Sequence, residues 1–182
     1  MDRVTGGPGA PVLAAADRAA ALAEVKAQLR HDGGADDVLI GALAETALGL
    51  AEQFVGRALI VREMVATMAP AHGWRRLPAG PVRAITAVAV AGVALPGASY
   101  AIDIDAGGIG WVKAASDVVL TVTFSAGDAA GWVQLPVAIR QGVAVLAAHL
   151  FTDRDGRQPP PAAVTALWRP HREVRLNLAA HA

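Results

Sequence analysis

An α+β fold follows from three features of the sequence. Apolar residues recur at helical spacing towards both ends, short segments rich in β-branched residues lie between them, and glycine and proline mark each change of period. The expected architecture is a helical core, two helices before the strands and two after, with a small antiparallel β subdomain inserted and flexible termini. The expected divisions are an N-terminal arm over 1–16, helical core over 17–57, β insertion over 58–126, further helical core over 132–169 and a C-terminal arm over 170–182.

Each element has its own signal. Residues 1–16 are rich in Gly, Pro and Ala and predict a loose arm. A first helix is expected over Asp17–Arg30, with Leu22, Val25 and Leu29 on one face and Gly33-Gly34 ending it. The second helix is the strongest. Asp36 and Asp37 suit its positive end, Leu39, Leu43, Ala47, Leu50 and Phe54 form its stripe, and Gly56 closes it. Extended segments are then expected over Leu59–Ala69, Val82–Ala91, Tyr100–Asp105 and Val118–Ser125. Val118, Leu120, Val122 and Phe124 alternate with Val119, Thr121, Thr123 and Ser125, and Tyr100, Ile102 and Ile104 alternate with Ala101, Asp103 and Asp105. These patterns predict an antiparallel meander with one wet face. Pro136 opens the third helix, whose stripe is Ile139, Val143, Leu146, Ala147 and Leu150, with Arg140 and Gln141 towards water. Asp153-Arg154-Asp155-Gly156 breaks it, and a short helix over Pro161–Trp168 stops at Pro170.

Composition narrows the function. Apolar residues make up 54% of 182, but much of that is alanine, and only four Trp, three Phe and one Tyr are aromatic. Small side chains favour close helix packing over a roomy ligand cavity. Sixteen basic residues balance sixteen acidic ones. Tight nucleic-acid binding rests on neutralising phosphates, so a zero net charge argues against it. The absence of cysteine removes disulfides, cysteine-based zinc sites and thiol catalysis together. Met1–Leu13 lacks the continuous apolar core of a signal peptide. Charged residues or glycine interrupt the longest apolar stretches, so a soluble intracellular product without membrane spans is expected.

No constellation suggests chemistry. Asp103 and Asp105 project from one strand face, but no third ligand lies near them, and a solvated face accounts for them. The Gly-rich run from Asp105 to Gly110 leads into the extended pair Trp111-Val112 rather than a helix, so it predicts a hairpin turn, not a phosphate cradle. Asp153-Arg154-Asp155-Gly156 imitates the start of a calcium loop, yet the required oxygen ligands are replaced by Arg157 and Val164. His31, His72, His149, His171 and His181 are not spaced as metal ligands, and Ser99, Ser116 and Ser125 lack a nucleophile elbow. No enzyme activity, cofactor or metal is expected. The C-terminal segment does stand out: Arg169, His171, Arg172, Glu173 and Arg175 precede Leu176 and Leu178 in an alternating tail. It reads either as a frayed end or as an arm that docks on a partner.

Several strings resemble a known family. Leu22-Ala-Glu-Val-Lys-Ala-Gln-Leu-Arg30, Asp36-Asp37-Val-Leu-Ile40 and Ala51-Glu-Gln-Phe-Val-Gly-Arg57 resemble the opening of tailed-phage head–tail connector (adaptor) proteins. Thr123-Phe-Ser-Ala-Gly127, Leu135-Pro136, Ile139-Arg140, Ala147-Ala148-His149-Leu150-Phe151 and Arg154 resemble its second half in the same order. The resemblance spans about residues 20–155. Two departures stand out: Asp128 replaces the family's usual aromatic, and the β insertion is longer than in compact all-helical connectors.

The resemblance implies a homo-oligomeric ring, usually of twelve, made in the host cytoplasm and placed at the capsid–tail junction of a virion. Its partners would be the portal protein and a downstream tail-completion or stopper protein. Double-stranded DNA would pass through without sequence-specific binding, as zero net charge allows. Alanine richness suggests a GC-rich genome and hence a prophage or gene transfer agent. Under this reading Arg169, His171, Arg172, Arg175, Leu176 and Leu178 form an arm that docks the ring on the portal. A tail-completion or terminator ring protein of the same particle is the near alternative, and a small α+β ligand-binding domain the distant one.

Overall fold

The computed structural model describes residues 2–114 and 117–172. Four helices form one layer: α1 (Ala15–Leu29), α2 (Asp37–Val55), α3 (Val137–Thr152) and α4 (Ala162–Trp168). α2 is central, packed against α1, α3 and α4. Its 19 residues have the length and apolarity of a membrane-crossing helix, and half of that window is buried inside the protein. The apolarity therefore belongs to a core helix. Ile40, Leu48 and Val55 from α2 meet Val25, Trp132, Ile139, Val143 and Trp168 in one hydrophobic cluster.

The helix ends differ in one respect from the sequence reading. Gly56 closes α2 with φ of 83°, the left-handed conformation that glycine adopts without cost. α1, however, ends before Gly33. Arg30 takes the left-handed position with φ of 54°, and its N–H returns to the carbonyls of Lys26 and Ala27.

The insertion contains two antiparallel sheets rather than a simple meander. β1 (Arg3–Thr5), β2 (Arg62–Met68), β8 (Leu120–Ala126), β4 (Val82–Val90) and β5 (Val93–Ala94) form one sheet in that spatial order. β3 (Arg75–Arg76), β7 (Gly110–Ala114) and β6 (Tyr100–Ile104) form the other. β8, last in sequence, lies between β2 and β4. Alternation tells which side chains share a face, not which strand is the neighbour, so the meander expectation fails where long-range pairing decides. The face itself is as expected: Phe124 pairs with Met64 and Ile85, and Val122 with Ala66 and Val88. Met64, Ala66, Val88, Leu120, Val122 and Phe124 make a second core.

Entry and exit of the insertion are stitched together. Ala129 donates to the Leu59 carbonyl, Val61 to that of Ala129, Asp128 to that of Ala58 and Gly127 to that of Pro81. Gly127 has φ of 149°, and a Cβ there would fall 2.4 Å from the Val61 nitrogen. Only glycine fits this crossing.

The N-terminal segment corrects the loose-arm expectation over 1–16. β1 pairs with β2 through Arg3↔Thr67, Val4↔Ala66 and Thr5↔Val65, and Leu13 is buried. Its glycines permit close approach rather than freedom: a Cβ on Gly49 of α2 would stand 2.8 Å from the Gly9 carbonyl oxygen.

Candidate functional site: a buried keystone, a packed C-terminal root and an open strand edge

The most deeply placed charge is Glu52, fully buried on α2. Its Oε1 accepts from the Leu59 N–H at 2.9 Å and Arg62 Nη1 at 2.7 Å; its Oε2 accepts from the Gly9 N–H at 2.9 Å and Arg62 Nη2 at 2.7 Å. Arg62, on β2, donates further to the carbonyls of Gly6, Gly7 and Ile60. One ion pair thus joins the helical layer, the sheet and the N-terminal segment. Burying a carboxylate is costly unless it is paired and hydrogen-bonded, and Glu52 is both.

A second network orders the helices. Asp17 of α1 accepts the Trp132 N–H at 2.7 Å, and Glu24 accepts from the Trp132 indole N–H at 3.1 Å and from Arg140. Arg140 was expected to face water and instead ties α3 to α1. A residue on a polar helix flank finds a buried partner only when the second helix arrives, which periodicity does not report. Arg75 is another buried cation. Its Nη1 donates to the carbonyls of Ala69 and Val118, each at 3.0 Å.

These groups serve structure. Asp105, one of the paired strand carboxylates, accepts from the N–H groups of Gly107 and Ile109 and so shapes the β6–β7 turn. Asp153 accepts from Arg157 and Gln158 in the same manner beyond α3. Among the described residues, no three His, Asp or Glu side chains are grouped to hold a metal ion. His31 stands 3.7 Å from Asp36 and His72 3.6 Å from Asp117, each a single contact. The cavity lined by Arg57, Arg76, Gly80, Pro81, Gly107, Gly108 and Ile109 measures about 40 Å³, room for a few waters at most.

The residues expected to form a docking arm divide into two groups. Arg169 and His171 belong to a 3-10 turn directly after α4, and Arg172 lies 5.8 Å from the centre of the Phe54 ring on α2. His171 borders a groove with Arg57, Leu59, Asp128 and Ile139. His171 and Arg172 thus lie against the core, while Arg169 is exposed. Arg175, Leu176 and Leu178 lie outside the described residues. Asp128, the departure noted above, is explained here: its carboxylate is 2.9 Å from Arg57 Nε, so it pairs with the last residue of the Ala51–Arg57 string.

The β6–β7 hairpin overturns one expectation. Ile102 and Ile104, read as the dry side of their strand, are 44% and 36% exposed. Among the described residues, β6 is the edge of its sheet and pairs with β7 alone. Its inward neighbour Val112 takes the place in the second core.

A buried ion pair thus joins two cores, and apolar residues stay exposed on one sheet edge. Solved structures share this fold. The chain is similar to one in a structure described as the neck of an empty GTA particle computed with C6 symmetry: 25% identity, TM-score 0.67, covering 97% of each chain. It is similar to one in the virion of a native gene transfer agent (GTA) particle, with 25% identity, TM-score 0.66 and 97% of each chain covered. A third similarity is to a chain in the neck of a native GTA particle computed with C12 symmetry. There the identity is 24% and the TM-score 0.68, over 91% of this chain and 94% of that one, a likeness of fold. No family model and no curated protein matches the chain. The resemblance to head–tail connectors read from the sequence thus meets neck chains sharing the fold from end to end.

Proposed function

We propose that this chain is a structural subunit of the neck ring that joins capsid to tail in a tailed phage or gene transfer agent. The observation that carries the reading is the likeness to GTA particle chains over 97% of both lengths, β insertion included. The buried charges of the fold are spent on joining its layers, Glu52 with Arg62 and Glu24 with Arg140. The subunit works by occupying a place. It docks on the portal side, extends the DNA channel and offers the tail side a surface, without turning over a substrate. A balanced charge lets DNA pass without being held.

The strings at Leu22–Arg30, Asp36–Ile40 and Ala51–Arg57 support the adaptor position, next to the portal, over the terminator position. The C-terminal segment is its docking arm: His171 and Arg172 anchor the root, and Arg169, Arg175, Leu176 and Leu178 carry the contacts. The test is affinity capture with purified portal and tail-completion proteins, followed by electron microscopy. The adaptor reading expects a closed ring of this chain on the portal. A ring that binds tail tubes and ignores the portal would make it a terminator, and the absence of any ring would defeat the neck reading.

A further inference from the structure

The small cavity beside the end of α2 is lined by two cations. Arg57, which follows α2, and Arg76 on β3 both border it, and among the described residues no carboxylate does. Its volume of about 40 Å³ holds roughly three waters, the size of one oxyanion group. Arg57 turns its Nε to Asp128, at 2.9 Å, on the side of the neighbouring groove. Among the described residues the exposed Arg76 guanidinium has no partner. Two guanidiniums against one carboxylate leave a positive charge unanswered.

The walls add a donor. On one side the N–H groups of Gly107, Gly108 and Ile109 are all spent on Asp105. On the other, among the described residues, the Ala79 N–H donates to no protein group, although Ala79 is only 4% exposed. A buried backbone N–H without a partner is rare and calls for an acceptor. Backbone lines this space closely: a Cβ on Gly108 would fall 2.7 Å from the Pro81 Cβ.

We infer that Arg57, Arg76 and the Ala79 N–H bind a phosphate group. The donors come from three segments, the end of α2, β3 and the turn before β4, and a phosphate offers more acceptor oxygens than a carboxylate. The cations also continue outwards. Lys113 lies two residues beyond Trp111, the cross-strand partner of Arg76, and so projects from the same face. Free phosphate and a DNA phosphodiester share this chemistry, and the experiment separates them. Once held, the group links the helical core to the insertion at a second point, apart from Glu52 and Arg62. All these residues belong to one chain, so the site does not rest on the neck ring.

Calorimetric titration with inorganic phosphate at fixed ionic strength should show a single saturable site with Kd on the order of 1 mM. Phosphate at about 10 mM should then raise Tm by about 3–5 °C. Arg76→Gln, at an exposed and unpaired position, should weaken binding about tenfold and remove most of that rise; what persists is the general salt effect. Lys113→Gln should leave inorganic phosphate binding within about twofold, because Lys113 does not line the cavity. No saturable binding, or equal binding by the Arg76→Gln chain, overturns the site. Acetate bound as tightly as phosphate overturns the phosphate assignment and makes the cavity a receptor for a protein carboxylate. Displacement of phosphate by a short DNA duplex, itself weakened by both substitutions, supports the site and names the DNA backbone as the source. Phosphate binding that the duplex leaves undisturbed supports it with the free anion as the ligand.

Discussion

The two ends of this chain look alike in sequence and behave differently in the fold. Both are short on large apolar side chains and interrupted by Gly or Pro. The first is nevertheless sewn into the molecule: β1 extends the sheet, Gly9 donates to Glu52, and the carbonyls of Gly6 and Gly7 accept from Arg62. The other reaches Arg172 through a 3-10 turn and a ring contact. Local composition reports how freely a segment bends. Whether it is held depends on partners elsewhere, here Glu52 and Arg62, more than forty residues away in sequence.

The largest effect should come from the group holding the N-terminal segment. Glu52→Ala strands the Arg62 guanidinium and the N–H groups of Gly9 and Leu59, and should cost about 3–5 kcal/mol. Chemical denaturation checks this, and a loss below ~1 kcal/mol would mean that the pair is incidental. Next is deletion of residues 2–12. Losing β1 and the Arg62 carbonyl contacts should cost on the order of 3 kcal/mol, lowering Tm by roughly 6–12 °C for a chain of this size. An unchanged Tm would return the segment to the status of a loose arm.

A smaller loss is expected at the point of closest approach. Gly49→Ala presses a methyl against the Gly9 carbonyl and should cost about 1–3 kcal/mol, with the deletion and the substitution less than additive. Smallest is truncation after Arg172. Stability should change by no more than about 0.5 kcal/mol, while docking on the portal is lost. That pairing of results, folded but undocked, is the sharpest contrast between the two ends.

Much of the fold was legible. The period-3.6 stripe of α3, the Gly56 cap and the inward set Leu120, Val122 and Phe124 stand where the sequence placed them, whereas α2 turns Ile40, Ala44, Ala47, Leu48, Ala51 and Val55 to the core and leaves Leu39 and Leu50 of its expected stripe exposed. Three features were not. The position of β8 between β2 and β4 depends on pairing across more than thirty residues, to which alternation is blind. The exposed side of β6 depends on what covers it, which no local pattern records. Glu52 carries its own signal: it is an acid in the apolar run of α2, three residues past the buried stretch Ala47-Leu48-Gly49, and an acid buried there needs a cation. Arg62 in the next element was the cation within reach.

The chain's place in a particle is open to direct measurement. The direct measurement is to delete its gene from cells that produce the particles and to image the products by electron microscopy, with restoration from a plasmid as the control. The neck reading expects DNA-filled heads and separate tails, rejoined when the chain is supplied. Complete tailed particles formed without it would contradict that reading.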